Sequence, residues 1–289
     1  MTTTPRHLVS RLLMCGLALL PAVVLALPVA AAADVPHVWI YSGTQNFRHP
    51  SIPHSKQVLA GLVEAGKFTA EFTEDPTALT AEMLARTDVV LFLSPSGIKN
   101  PDNSENAPFT PEQRAAFVQW ISCGGGFMGV HQSADSYDDW PEWNELNGAR
   151  FSRHPSRTFI DQLLGNEQPE ATLRIADQTH TTTQPWHGMP TLKLRDEYYQ
   201  WLANQTPDKL TTDYNPLIFM GPYSDPLLAR QEDATFGSNS PLAWTSTFRG
   251  KNRSFYTNLG HSTLTWDRID YQTHIVNAVQ WTADGPESC

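Results

Sequence analysis

Cysteine is scarce in this chain of 289 residues, which contains only three. So few cysteines exclude a small scaffold held together by disulfides, and the absence of a Cys-x-x-Cys pair disfavours a zinc ribbon. Positive charge is scarce as well, because 20 Lys and Arg stand against 30 Asp and Glu and leave no basic surplus to bind nucleic-acid phosphates. What is present is 40% hydrophobic and 10% aromatic residues, a composition typical of a globular protein.

Several catalytic motifs are also absent. The sequence contains no His-Glu-x-x-His pair, no Gly-x-x-x-x-Gly-Lys-Ser/Thr loop and no Gly-x-Ser-x-Gly elbow. These absences disfavour a zincin metalloprotease, a P-loop phosphotransferase and a serine α/β-hydrolase. Gly124-Gly-Gly126 is not a dinucleotide-binding fingerprint, because it precedes a predicted strand instead of following one. We expect it to end a helix and to lead tightly into the sheet.

The amino terminus is predicted to be a secretory signal peptide, residues 1–33, cleaved after Ala33. A basic start leads into an apolar run from Leu12 to Val29 and then into four alanines. Two prolines in the run and the Ala-x-Ala ending favour a cleaved signal over the alternative, a transmembrane anchor. The mature chain, residues 34–289, is then expected to be secreted or periplasmic and to form a single domain.

Cleavage would change both the charge and the cysteine count. Loss of Arg6 and Arg11 would leave 18 basic against 30 acidic residues, so we expect no nucleic-acid partner and, after cleavage, no membrane partner. Cys123 and Cys289 would remain, and one disulfide is allowed but not required. Because Cys289 ends a Gly-Pro-Glu-Ser-Cys tail that we expect to be mobile, an unpaired Cys123 is the favoured alternative.

Hydrophobic patterning alternates between strands and helices over the first part of the mature chain. Apolar runs rich in β-branched residues predict buried strands, and apolar residues spaced three and four apart predict helices. The strands are predicted at 37–42, 68–73, 88–94 and 124–130, and the helices at 55–65, 80–85 and 110–122. This order predicts βαβ crossovers and therefore an α/β fold, with an open, mostly parallel sheet and helices on both faces.

The second half of the chain is less regular and rich in Pro, Trp and Tyr. Extra strands are predicted at 171–176, 198–202, 242–248 and 253–259, followed by a final helix at about 270–282. The Arg249-Gly-Lys-Asn252 segment indicates a hairpin loop between the last two strands. We find no internal repeat and no linker, which favours a single domain.

Three histidines from distant parts of the sequence follow predicted strands. His49 lies in the loop after the first strand, His131 after the fourth, and His261 after the last. Because ligands of open α/β sheets bind beyond the carboxyl ends of strands, we expect these imidazoles on one rim, forming a site. They suit either proton transfer or metal ligation. A divalent metal held by these three histidines stays open, since no local spacing demands one, and no other cofactor is indicated.

Six segments, in order, resemble the ThuA-like proteins, a family associated with bacterial trehalose and disaccharide utilisation. The similarity spans about residues 37 to 283 and implies a class I glutamine amidotransferase-like fold, a flavodoxin-like three-layer arrangement. The segments are Ser42-Gly43 with Phe47-Arg48-His49; Phe109–Gln113 with Gly124–His131; Gly148–Phe151 with His154-Pro155; Asp196-Glu197-Tyr198; Pro241–Trp244; and Tyr256 with Gly260-His261.

The comparison with that larger fold bears on mechanism. Amidotransferases present a nucleophilic Cys on a tight elbow after a Gly-x-Cys strand, and a later strand ends in His-Pro-Glu. Gly129-Val130-His131 resembles the elbow with His in place of Cys, and His261-Ser262-Thr263 resembles the later segment with its Glu lost. Because an imidazole cannot form the thioester that glutamine hydrolysis needs, we expect no glutaminase activity.

The resemblance implies an enzyme of carbohydrate utilisation that acts on a disaccharide or a 3-keto-glycoside, and the predicted signal peptide implies that it is exported. His131 is predicted to be a general base or ligand, His261 its partner, and Asp196 or Glu197 the carboxylate that orients or protonates. Only one of these adjacent acids can face the pocket, since neighbours on a strand point to opposite faces.

The other residues predicted to bind substrate are Arg48, His49, Gln132, Asp135, His154 and Trp244. The tryptophans of the second half suit stacking on sugar rings, although core packing is the commoner use of this residue. The alternative function is that of a noncatalytic carbohydrate-binding or accessory protein on the same fold.

Overall fold

A central sheet organises the part of the chain that the computed structural model describes, residues 35–155, 168–210, 213–223, 240–285 and 289. The predicted signal peptide lies outside the described residues. The strands are β1 (His37–Tyr41), β2 (Thr69–Thr73), β3 (Val89–Leu93), β4 (Ile98–Lys99), β5 (Glu105–Asn106), β6 (Gly126–Val130), β7 (Phe151–Arg153), β8 (Glu170–Ile175), β9 (Thr191–Arg195), β10 (Gln200–Trp201), β11 (Asn215–Tyr223), β12 (Pro241–Ser246) and β13 (Ser254–Thr257).

Helices connect and cover these strands. The α-helices are α1 (Ile52–Glu64), α2 (Ala81–Leu84), α3 (Pro111–Ser122), α4 (Pro141–Asn147), α5 (Pro207–Leu210), α6 (Thr263–Trp266) and α7 (Ile269–Ala283). Short 3-10 helices cover Pro76–Ala78, His131–Asp135 and Thr181–Trp186. Among the residues described, no helix is both long and apolar enough to cross a bilayer.

Nine strands share the main sheet, in the order β2-β1-β3-β6-β13-β12-β11-β8-β9. The first five of this order pair in parallel, and β12, β11, β8 and β9 continue the sheet through antiparallel pairs. Only β12 and β8 therefore run against the other seven strands, and the predicted α/β fold with a mostly parallel sheet is confirmed. Residues that follow β1, β6, β13 and β9 consequently leave the sheet at the same edge.

Both faces of the sheet are covered, because the side chains of its central strands alternate. Val38 and Ile40 of β1 belong to a hydrophobic core that includes Leu59 of α1 and residues of α7. Trp39 and Tyr41, on the other face of the same strand, belong to a second core with residues of α2, α3 and α4. A strand that is buried on both faces reads as a continuous apolar run, as β1 and β3 do.

Several boundaries differ from those predicted. Helix α1 begins at Ile52, three residues before the predicted start, because Pro53 is tolerated in a first turn whose N–H groups have no partner within the helix. The strand predicted at 198–202 shortens to β10 and pairs with β7, outside the main sheet. The hairpin predicted at Arg249–Asn252 does join β12 to β13, with positive φ at Arg249 and Gly250.

Cys123 and Cys289 form a disulfide, so the expectation of an unpaired Cys123 was wrong. The carboxyl end of α7 packs beside the start of β6, where a Cβ on Gly126 would lie 2.8 Å from the carbonyl oxygen of Thr282. This packing delivers the end of the chain to Cys123, the residue after α3. The sequence alone does not show where α7 ends in space, and the pairing depends on that position.

Candidate functional site

His131 lies on a tight elbow between β6 and the 3-10 helix that follows. Its φ is 51°, in the left-handed region that side chains with a Cβ seldom adopt. A strand-to-helix turn of this kind projects its side chain away from the sheet edge, as nucleophile elbows do. Gly129 allows the elbow to pack, because a Cβ there would lie 2.4 Å from Asn147 Oδ1 and 2.6 Å from Ser133 Oγ.

Three imidazoles meet at this elbow. The Nε2 atom of His131 lies 3.0 Å from Nε2 of His49 and 3.2 Å from Nδ1 of His261. His49 comes from the loop between β1 and α1, and His261 from the loop between β13 and α6. The structure therefore brings together the three histidines that the sequence predicts on one rim; their roles stay predictions.

Glu197 completes the group, which we call the histidine–glutamate cluster: His49, His131, His261 and Glu197. Its Oε2 atom lies 3.3 Å from His131 Nε2 and 3.2 Å from His261 Nδ1. Its Oε1 atom lies 3.4 Å from Nδ1 of His154, a half-exposed side chain at the rim. Glu197 reaches the cluster because β9 runs in the same direction as β6 and β13, so its carboxyl end meets theirs.

Asp196 is fully buried, faces away from the cluster and holds the His261 loop. Its Oδ2 atom accepts hydrogen bonds from Gly260 N at 2.9 Å and Thr265 Oγ1 at 2.7 Å, and its Oδ1 from His261 N at 3.0 Å. Burial raises the pKa of Asp196, while charge interaction with His131 and these hydrogen bonds oppose the rise. Of the two adjacent acids only Glu197 reaches the imidazoles, so the catalytic role predicted for Asp196 gives way to a positioning role.

The Nδ1 atoms of His131 and His49 point out of the cluster and face oxygen atoms. His131 Nδ1 lies 2.7 Å from the carbonyl oxygen of Asn258, and His49 Nδ1 lies 2.7 Å from Oε1 of Gln132. Because a carbonyl oxygen can only accept, we assign the proton of each ring to Nδ1. The Nε2 atom of each ring points into the cluster, where the two atoms lie 3.0 Å apart.

The charges in the cluster follow from its burial. Burial lowers the pKa of His49 to about 2, and repulsion from His131 and His261 adds to the effect. Burial alone would raise the pKa of Glu197, but hydrogen bonds and charge interactions with His131 and His261 outweigh it and hold that pKa well below its usual range. The cluster thus pairs a neutral His49 with an ionised Glu197.

Asp135 ends the 3-10 helix that begins at His131, and its pKa is shifted in the opposite direction to that of Glu197. Burial raises its pKa to about 8; repulsion from Glu105 and Glu197 adds to the rise, and attraction by Arg150 opposes it. Asp135 is therefore a protonated acid at neutral pH, whereas Glu197 is a carboxylate. Two carboxyl groups whose pKa values are pushed apart in one cleft are typical of acid–base catalysts.

A cavity of about 230 Å³ lies over the cluster. Its lining includes His49, Glu197 and His261 of the cluster and both other polar residues predicted beside them, Gln132 and Asp135, with His154 at the rim. Pockets for drug-sized ligands measure roughly 300–1,000 Å³, so this cavity fits a smaller ligand, of the size of a sugar ring.

Arg48 and Trp244, both predicted to bind substrate, lie away from this cavity. Arg48 pairs with Glu74 at 3.0 Å on the surface and lines a separate hollow beside α1. Trp244 is fully buried, stacks on Tyr256 and donates its indole N–H to the carbonyl oxygen of Asn147 at 3.1 Å. Its position supports core packing, which is also the use of four other tryptophans, Trp140, Trp143, Trp186 and Trp201.

Five cavity residues were not among the predicted site residues: Asn46, Phe47, Glu105, Phe151 and Tyr199. The Tyr199 hydroxyl lies 3.2 Å from His131 Nε2. The sequence does hold a signal for Tyr199, because it stands two residues after Glu197. Phe47 is an aromatic side chain that is 54% exposed beside His49, whereas buried Glu105 has no distinguishing pattern.

Comparisons with known proteins agree with this architecture. A solved ThuA-like protein of Bacteroides uniformis ATCC 8492 superimposes with a TM-score of 0.63 at 21% identity, covering 88% of this chain and 94% of that one. A second, from Parabacteroides merdae ATCC 43184, has a TM-score of 0.61 at 18% identity, covering 86% and 90%. At these identities the likeness shows the shared fold alone. The comparison with curated proteins gives no match.

The family is identified from the sequence. A family model named ThuA and described as trehalose utilisation matches residues 37–282, which include every member of the histidine–glutamate cluster. Since this match spans most of the chain, the protein belongs to the ThuA family, the family of trehalose utilisation.

Proposed function

We propose that this protein is an exported enzyme of carbohydrate utilisation that acts on a disaccharide or a 3-keto-glycoside. The observation that carries the proposal is the convergence of the histidine–glutamate cluster beneath a cavity of about 230 Å³. The family description, trehalose utilisation, supports the substrate class.

Asp135 is the proposed general acid. Its pKa of about 8 keeps the carboxyl protonated at neutral pH, and its place in the cavity wall lets it reach a bound ligand. Cleavage of a glycosidic bond requires a proton on the departing oxygen, and an acid with a pKa near the working pH delivers it well.

A 3-keto-glycoside suits this arrangement because its carbonyl makes the neighbouring C2–H acidic. The cluster removes this proton, Asp135 gives its own proton to the glycosidic oxygen, and the C1–O bond breaks by elimination. Water then adds across the resulting C1–C2 double bond to give the free 3-keto sugar. Glutaminase activity is not part of the proposal, because His131 occupies the elbow where a nucleophilic thiol would be needed.

Export is supported by two independent features. The amino-terminal sequence has the pattern of a cleaved signal peptide. The Cys123–Cys289 disulfide is of a kind that persists in oxidising compartments such as the periplasm.

The test is turnover of disaccharides and of their 3-keto derivatives by the purified protein, with products separated by chromatography. We expect turnover of at least one of these sugars, and a loss of about 100-fold or more in the His131→Ala variant, the scale of acid–base catalysis. His187→Ala is the matched control, since His187 is exposed and lies outside the cavity. Unchanged turnover in His131→Ala would contradict the proposal, and sugar binding without product would favour the noncatalytic alternative.

A further inference from the structure

We propose that the histidine–glutamate cluster binds a divalent first-row transition metal, with zinc as the reference ion. Four side chains from four separate segments direct one donor atom each to a common point: His49 Nε2, His131 Nε2, His261 Nδ1 and Glu197 Oε2. The sequence suggested three of these as ligands; the structure adds the carboxylate.

Four of the six separations among the donor atoms match a coordination shell. Zinc lies about 2.0–2.1 Å from imidazole nitrogen and carboxylate oxygen, so two ligands of a tetrahedral zinc ion stand roughly 3.3–3.4 Å apart. The separations that involve His131 Nε2 are 3.0, 3.2 and 3.3 Å, and that between His261 and Glu197 is 3.2 Å. All the donor atoms lie within 4.8 Å of one another.

The hydrogen bonds outside the cluster make a cation at its centre favourable. The Asn258 carbonyl and the Gln132 amide oxygen hold the ring protons on Nδ1 of His131 and His49. Their Nε2 atoms then face each other at 3.0 Å, and both can offer a lone pair to one ion once no proton lies between them. A metal ion bound by both nitrogens takes the place of a proton shared between them.

The surroundings also resemble those of a built metal site. Metal-binding histidines usually donate their second N–H to a carbonyl or carboxylate, which fixes the ring orientation. His131 and His49 both have such a partner, and Asp196 fixes the backbone of the His261 loop. The supporting residues Gln132, Asp196 and Asn258 are all buried, so these contacts are shielded from solvent.

The donor set indicates the kind of metal. Calcium and magnesium prefer oxygen ligands, whereas imidazole suits zinc, copper, iron and nickel. Three nitrogens and one carboxylate oxygen therefore favour a transition metal. His49, Glu197 and His261 line the cavity, so the ion would face it, and a substrate atom would join the four protein ligands as a fifth. Binding of the ion does not rest on the proposed function. Within that function the bound ion would polarise the substrate carbonyl, and removal of the C2 proton would then fall to His154, the cavity imidazole outside the donor set.

The test measures metal binding directly. The full chain is purified, stripped with a chelator, and titrated with Zn²⁺ by calorimetry and with Co²⁺ by visible absorption. We expect one Zn²⁺ per chain, a rise in Tm, and the visible bands of tetrahedral or five-coordinate Co²⁺. His49→Ala and His261→Ala should each abolish tight binding, whereas His187→Ala should bind like the wild type. Gln132→Met, which keeps all four ligands, should weaken binding about 10–100-fold.

The outcomes separate this proposal from the proposed function. Absence of stoichiometric Zn²⁺ and of the Co²⁺ bands would overturn the metal site, even if the protein turns over a sugar. Binding that survives both ligand substitutions would show an adventitious ion only and overturn it as well. Stoichiometric Zn²⁺ lost in the ligand variants, without turnover of any sugar, would support the metal site and contradict the enzyme.

Discussion

The parallel and antiparallel halves of the sheet contribute to the site in different ways. The parallel half, β2-β1-β3-β6-β13, places His131 directly after β6, and His49 and His261 in the loops that follow β1 and β13. The antiparallel half, β12-β11-β8-β9, contributes Glu197 from the segment after β9, at the far edge of the sheet. Strands of the parallel half therefore lead into the segments that carry the imidazoles, whereas the carboxylate stands two residues after β9, the edge strand of the other half.

The two halves also supply carboxyl groups of opposite character. Asp135 follows β6, and burial raises its pKa to about 8. Glu197 follows β9, and its hydrogen bonds to His131 and His261 outweigh burial and lower its pKa. Each half thus contributes one carboxyl group to the site, and three substitutions test the proposed role of Asp135 and the contacts that join the halves.

The largest effect is expected at Asp135. Asp135→Asn removes the proposed proton donor while keeping its size, and should lower kcat by about 100- to 10,000-fold. In the wild type the protonated form is the active one, so activity should fall as the pH rises through about 8. The pH profile of kcat on the best sugar measures both, and an alkaline limb that persists in the residual activity of Asp135→Asn would contradict the assignment.

The difference between the halves also explains what the sequence could reveal. Each of the three histidines follows a short apolar run, and the rule that ligands bind beyond strand ends places them on one rim. These signals are local. The elbow at His131 was predicted from Gly129-Val130-His131, and its positive φ agrees with that interpretation.

The antiparallel half was harder to predict. Strand β9 was missed, although Leu192 and Leu194 are buried between exposed Thr191 and Lys193, an alternation visible in the sequence. Without β9 the direction of the chain at Glu197 could not be inferred. The disulfide was out of reach for a different reason, since it depends on where α7 ends in space. Tryptophan content pointed to Trp244, whereas the exposed aromatic at the cavity is Phe47.

The second prediction concerns the hydrogen bonds that join the two halves at the site. Asp196, after β9, accepts hydrogen bonds from Gly260, His261 and Thr265, all after β13. Asp196→Asn replaces one accepting oxygen by an amide that must face a donor, and should lower the free energy of unfolding by about 1–3 kcal/mol.

Urea denaturation at neutral pH measures this loss. Asp267→Asn is a suitable control, because the Asp267 side chain is 57% exposed and its pair with His54 lies on the surface. A pair of this kind contributes only about 0–1 kcal/mol. Equal losses in the two variants would show that Asp196 does not link the halves.

The smallest predicted effect concerns a hydrogen bond between α7 and the 3-10 helix Thr181–Trp186. His274 of α7 is fully buried and donates its Nδ1 proton to the carbonyl oxygen of Thr182 at 2.6 Å, in the 3-10 helix that precedes β9. Burial lowers the pKa of His274 to about 4. The unfolded chain titrates near 6.5 and so binds more protons than the folded chain between these values. Stability should therefore fall as the pH drops from 6.5 towards 4, by at most about 3 kcal/mol from this residue.

His274→Asn tests this link, because the Asn amide can donate to the same carbonyl oxygen but does not titrate. Denaturation at pH 7 and at pH 4.5 gives the loss for each protein. The variant starts from a lower stability, since it leaves space beside Trp186 and Phe255, but it should lose less than the wild type between the two pH values. If both lose the same free energy, the acid sensitivity arises from carboxyl groups elsewhere, and His274 joins the halves by packing alone.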